Sequence, residues 1–124
     1  MPLNDTLIHD YCQMLTPDNN KEMQAFGIQS LDSKIDEAIR KIISRSDLLL
    51  KVFSIADCFG STGFSFDIQQ SQYRILQKIA ENMNEGRASE IILRNSGLHR
   101  LLKNLNFHNS RFQPIITNLI TRIV

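Results

Sequence analysis

Residues 31–43, "LDSKIDEAIRKII", place Leu31, Ile35, Ala38, Ile39, Ile42 and Ile43 at steps that follow the 3.6-residue turn of an α-helix. Asp32, Asp36 and Glu37 come early and Arg40, Lys41 and Arg45 late, the order that the helix dipole favours. Ser30 stands where a side-chain cap belongs. The stretch therefore predicts an amphipathic helix beginning at Leu31. A stripe that wide is stable only when other elements cover it, so the fold is predicted to be a helical bundle.

The same spacing extends in both directions. Leu3, Leu7, Ile8, Tyr11, Cys12 and Leu15 form an N-terminal stripe, with Asn4 or Asp5 near its start as a cap. In "TPDNNKEM", Thr16 is the expected cap of a second, short helix, with Pro17 at its first position and Asp18 at the positive end of its dipole. That helix presents Met23 and Phe26 and is expected to stop at Gly27. Residues 46–60, "SDLLLKVFSIADCFG", are apolar on most sides through Leu48, Leu49, Val52, Phe53, Ile55, Ala56 and Phe59, the signature of a central helix; Gly60 ends it.

Beyond the loop "GSTGFSFD", whose Phe64 and Phe66 are expected to tuck inward, a helix from Asp67 carries Ile75, Leu76, Ile79, Ala80 and Met83, with Gly86 closing. Two short helices follow, one from Ala88 to about Leu93 and one in "LHRLLKNLNF". Phe112, Ile115, Ile116, Leu119, Ile120 and Ile123 mark a last helix, whose regular part is expected to start at Pro114 because proline lacks the N–H of a helix interior. No strand pair, repeat or low-complexity tract interrupts the pattern. The reading is an all-α, compact single-domain bundle of six or seven helices, some short, over residues 1–124.

Composition agrees with a soluble domain. The chain has 124 residues, 42% hydrophobic and 22% charged, enough to bury a core. No apolar run approaches the roughly 18 residues of a membrane span. The start "MPLNDTLIHD" lacks a basic n-region, so a cytoplasmic location is expected. Cys12 and Cys58 form no C-x-x-C pair and are expected to be reduced, half-buried thiols. Net charge is +1 but uneven: residues 1–67 hold 6 basic and 10 acidic side chains, net −4, and residues 68–124 hold 8 basic and 3 acidic, net +5. The two parts either pack against each other, pair across a dimer, or leave the basic part for an anionic partner.

Motifs for catalysis are sparse. His9 and Cys12 share a helix face, but a metal needs about four ligands and no second His/Cys cluster completes a set, so no metal and no cofactor is expected. Asp57-Cys58 has no histidine near it in sequence, and "FGSTGFS" lacks the lysine and preceding strand of a phosphate loop. The hexapeptide "RNSGLH", residues 94–99, resembles the R-N-x-x-x-H motif of the HEPN family, helical proteins that include RNases. The resemblance implies a dimeric RNase with Arg94 and His99 catalytic, the arginine steadying phosphate charge and the histidine moving a proton.

Residues 73–107 carry a longer resemblance. In "ILQKIAENMNEGRASEIILRNSGLHRLLKNLNF", Asn84 followed by Ala88 and Ser89, with Ile91 and Ile92 as core positions, is similar to the helix-turn-helix of Fis-type and enhancer-binding transcription regulators. That resemblance implies that Asn95 or Ser96 caps a recognition helix. It would turn His99, Arg100 and Lys103 to the DNA groove and set Arg87 and Arg94 near phosphates. The leading expectation is a non-enzymatic protein-binding module with a regulatory, adaptor, chaperone or inhibitor role, self-association included. DNA binding is the alternative and RNA cleavage the third. The candidate binding surface is Arg87, Arg94, His99, Arg100 and Lys103. Ile120 and Ile123, in the apolar end "LITRIV", are either core or interface, and six regularly spaced apolar positions favour core.

Overall fold

Capping chemistry sets the chain's first elements. In the computed structural model, which describes residues 4–55, 64–84, 87–105 and 112–123 (backbone alone at 98 and 103–105), α1 spans Asp5–Met14 and is capped by the Asn4 side chain, which accepts the Leu7 N–H at 2.9 Å. Helix α2 spans Lys21–Ser33 and is capped by Asn20, which accepts the Met23 N–H at 2.8 Å. Thr16 is not the cap: its hydroxyl donates to the Gln13 carbonyl, so residues 16–19 form a turn.

Gly27 does not stop α2 but lies buried at its middle. A Cβ there would stand 2.8 Å from Met14 Cβ and 3.0 Å from the Tyr11 carbonyl oxygen. The missing side chain lets α1 lie close against α2; it is a packing glycine and not a C-cap. Nor does a helix start at Leu31. Leu31 belongs to α2, and Ser30, inside that helix, caps nothing. Only Lys34 (φ −123°, ψ 19°) leaves helical geometry before α3, Ile35–Ser44. The 31–43 stripe keeps its period because the break between the helices is a single residue, and every one of its apolar members is buried.

Helix α4, Ser46–Phe53, buries Leu48, Leu49, Val52 and Phe53, and Ile55 just beyond it is also buried. It packs against α1, α3 and a helix of the C-terminal part. It is not wet on a narrow strip alone: Ser46 and Asp47 are exposed and Leu50 and Lys51 half-buried, so the buried side chains share one broad face. Helix α5, Phe66–Glu81, is capped by Ser65 and buries Ile68, Ile75, Leu76, Ile79 and Ala80 against α2 and α3. Phe64 tucks inward as expected, whereas Phe66, at the first turn of α5, is 59% exposed. Sequence neighbours two apart cannot both face the core once a helix begins between them.

Helices α6 (Ala88–Arg94), α7 (Gly97–Leu105) and α8 (Gln113–Ile123) complete the bundle, giving eight helices among the described residues. Pro114 sits in the first turn of α8, where its missing N–H costs no helical bond. One continuous core runs from Ile8 to Ile123. Ala56, Asp57, Cys58, Phe59, Gly60 and Gly86 lie outside the described residues. No helix is long and apolar enough to cross a membrane among those described.

Between α6 and α7 the chain turns in two residues. Ser96 takes φ +64°, in the left-handed region. Gly97 is buried against α6, and a Cβ on it would stand 2.1 Å from Ile92 Cγ2 and 2.5 Å from the Ile92 carbonyl oxygen. Two strained demands thus fall on adjacent residues, and the glycine serves the closer contact. Gly97→Ala is expected to lower stability by about 2 kcal/mol or more through overpacking. Ser96→Gly is expected to raise it by up to about 1 kcal/mol, relief of the left-handed serine outweighing glycine's entropy. Denaturant midpoints of the two variants against the parent protein check both signs.

Candidate functional site

The hexapeptide is a turn, as its Ser-Gly centre implies. Arg94 ends α6, Asn95 and Ser96 make the turn, and Gly97 opens α7. Asn95 does not cap α7: its amide donates to the Ile91 carbonyl at 2.8 Å and so closes the end of α6. The Ser96 carbonyl instead accepts the Arg100 N–H, 3.0 Å away, as the first bond of α7. A two-residue turn is shorter than the three or four residues usual between the two helices of a DNA-binding pair.

Arg87 and Arg94 both converge on one carboxylate. Glu90 accepts from Arg87 Nε at 2.9 Å and pairs with the second guanidinium, Arg94, at 2.6 Å. The hydrogen bond from Arg87 first, and the two positive charges after it, hold the Glu90 carboxyl below its usual range; the carboxylate in turn raises Arg87. The guanidinium of Arg100 lies 5.4 Å from the centroid of the Phe53 ring, a cation–π contact that turns it toward the core. His99 is exposed on α7, and the Lys103 side chain lies outside the described residues. The five candidate positions therefore lie on or beside the consecutive helices α6 and α7, and three of them are engaged with other side chains of this protein.

The uneven charge of the two parts is also used within the chain. Asp32 on α2 receives Arg74 Nε at 2.9 Å and the Ser71 hydroxyl at 3.0 Å from α5. Asp36 on α3 pairs with Lys78 of α5 at 2.8 Å. Both bridges join an acid of residues 1–67 to a base of residues 68–124, so part of the asymmetry is packing between the parts. These groups line a cleft between α2, α3 and α5 in which every charge faces an opposite one.

Ile123 lies in the core and Ile120 is half-buried against it, so α8 presents little of the expected apolar interface. Large apolar side chains are exposed elsewhere: Phe66 on α5, Leu93 on α6 and Leu102 on α7, one to a helix, and two together on α2. Met23 is 42% and Phe26 56% exposed on α2. They lie on the edge beside α1, where Leu7, Tyr11 and Met14 are half-buried and the Tyr11 and Phe26 rings meet edge to face at 6.5 Å. Sequence reasoning missed this edge because it ended α2 at Gly27. With the helix continued to Ser33, Met23 and Phe26 fall off the stripe of Ile28 and Leu31, which is the signal that was present.

Known proteins give no guide. The chain matches no family model, no curated protein and no solved structure. Function must be argued from its surfaces.

Cys12 is a free thiol and fully buried, deeper than the half-buried state expected of it. Burial pushes its pKa up to about 12, with Lys51 opposing and Asp47 adding to the shift. His9, one turn away, is exposed, and no group of three or more metal-ligating side chains occurs among the described residues. Because the folded thiol holds its proton more tightly than an unfolded one, its stabilising effect is complete below the unfolded value and fades as pH rises toward 12. In a Cys58→Ser background, Cys12 is expected to resist alkylation by iodoacetamide at pH 8 and to react once denaturant is added. Mass spectrometry of the alkylated chain reads the result.

Proposed function

We propose that this protein is a non-enzymatic protein-binding module, and that the outer edge of α1 and α2 is its docking surface. The exposure of Met23 and Phe26 beside Tyr11 carries the reading. Two large apolar side chains lie side by side in water next to half-buried Leu7, Tyr11 and Met14, whereas Phe66, Leu93 and Leu102 are exposed on three other helices. A contiguous apolar patch marks an interaction site more often than a scattered one does. Methionine and aromatic side chains are also the types enriched at such contacts, and methionine adapts its shape to a partner.

DNA binding through α6 and α7 has weaker support. Its Arg87 and Arg94 are shared with Glu90, Arg100 stacks on Phe53, and Leu102 on α7 is 46% exposed where a groove would present bases and phosphates. A duplex binder neutralising several phosphates would show affinity that falls steeply with salt. The protein is expected to give no duplex mobility shift at about 50 mM salt. RNA cleavage by Arg94 and His99 draws on the hexapeptide alone.

The docking reading is tested by placing the photo-crosslinking residue p-benzoylphenylalanine at position 26, and separately at Glu37, which is exposed on α3. Irradiation in cell lysate is expected to give a discrete protein adduct from position 26 and none from position 37. The adduct from position 26 is expected to fall when Met23→Ser is added. Equal labelling at both positions, or none at 26, removes this surface from consideration.

A further inference from the structure

The apolar edge of α1 and α2 has a charge of its own. On α1, Asp10 lies one turn from Leu7 and from Met14; on α2, Glu22 lies one turn before Phe26 and next to Met23. Both acids are exposed. By helical spacing, the other positions on this side of the two helices are the exposed Thr6, Gln13, Gln29 and Ser33 and the half-buried Ser30, and no lysine or arginine is among them. Lys21, the base at the start of α2, is directed to the other side of that helix, where its ammonium lies 5.9 Å from the centroid of the Phe64 ring. His9 is on the far side of α1 from Met14 by helical spacing.

Resting on the docking reading above, we infer that the occupant of this edge is an amphipathic helix of another protein, apolar along one face and flanked by lysine or arginine. Leu7, Tyr11, Met14, Met23 and Phe26 form an elongated apolar strip along two adjacent helices, the shape that receives side chains spaced i, i+3 or i+4, and i+7. Asp10 on one border and Glu22 on the other select bases on both flanks of the incoming helix. A second copy of this chain fits poorly by the same criterion. Two-fold pairing of the edge with itself brings the same surface of each copy together, and sets Asp10 and Glu22 of one copy against those of its mate. Like charges brought face to face disfavour that assembly.

The probe is a designed 18-residue helical peptide with leucines at i, i+3, i+4 and i+7 and lysines flanking them, labelled with a fluorophore; its mate has every lysine replaced by glutamate. Fluorescence anisotropy is expected to show the lysine peptide bound at least tenfold more tightly than the glutamate peptide, with the preference shrinking as salt is raised. Phe26→Ser is expected to weaken binding about tenfold or more, as loss of an aromatic anchor does. The double variant Asp10→Lys and Glu22→Lys, at exposed sites that leave the core untouched, is expected to invert the preference in favour of the glutamate peptide. Equal affinity for both peptides, or a preference that survives the double charge reversal, overturns the charge-selected helix while leaving an apolar docking edge standing. Binding of neither peptide overturns it also, and the crosslinking result at position 26 then decides separately whether the edge binds protein at all. A concentration-dependent rise in mass by analytical ultracentrifugation that Phe26→Ser abolishes would assign the edge to self-association and sink the inference.

Discussion

The bundle depends on the need to cover the broad apolar face of α4. Its Leu48, Leu49, Val52 and Phe53 form one broad buried face, while Ser46 and Asp47 are exposed and Leu50 and Lys51 half-buried, and eight residues cannot bury themselves. Each such side chain contributes about 1.5–3 kcal/mol when taken out of water, so neighbours are drawn in over that face. Helix α1 covers one side, α3 a second and α6 a third, while Arg100 of α7 is held over the Phe53 ring. Elements far apart in the chain are thereby gathered around one short segment. The position of the α6–α7 turn, which held the most suggestive hexapeptide, follows from that coverage.

Polar contacts then fix the register that apolar burial leaves loose. Asp32 takes two partners from α5, Ser71 and Arg74, and Asp36 takes Lys78 one turn further along. These pairs are at the surface and each adds little stability. Their placement at one-turn spacing along both helices matches α5 to the α2–α3 pair in one alignment. Asp32 sits near the break at Lys34, so the bridge holds the end of α2 just where helical geometry lapses.

Much of this was legible from residue spacing alone. The all-α class, the buried stripes, the start of α8 by Pro114 and the turn inside "RNSGLH" all follow from periodicity and from proline and glycine chemistry. What failed were readings in which one residue type serves two purposes. Gly27 has the composition of a stop but the role of a close contact, which only the position of α1 reveals. Ser30 has the side chain of a cap but lies inside a helix capped ten residues earlier by Asn20. The basic surface was readable as a list of charges but not as a set of pairs, because the reach of Glu90 to both Arg87 and Arg94 depends on how the short α6 presents them. The exposed edge of α1 and α2 became visible only when the length of α2 was known.

Gly27 also bears on how the outer edge of α1 and α2 behaves. With Met14 and the Tyr11 backbone seated directly on its Cα, α1 is held against α2 by contacts between atoms that have no rotamer to change. The placement of the Tyr11 backbone relative to that of Phe26 is then set by two helices in contact at Gly27. A surface built this way has its outline before any encounter, and ordering the scaffold beneath it adds no further entropy loss on contact. Only the side-chain tips of the two methionines remain to be arranged. The smallest residue in the helix thus confers rigidity on the face where the largest ones are exposed.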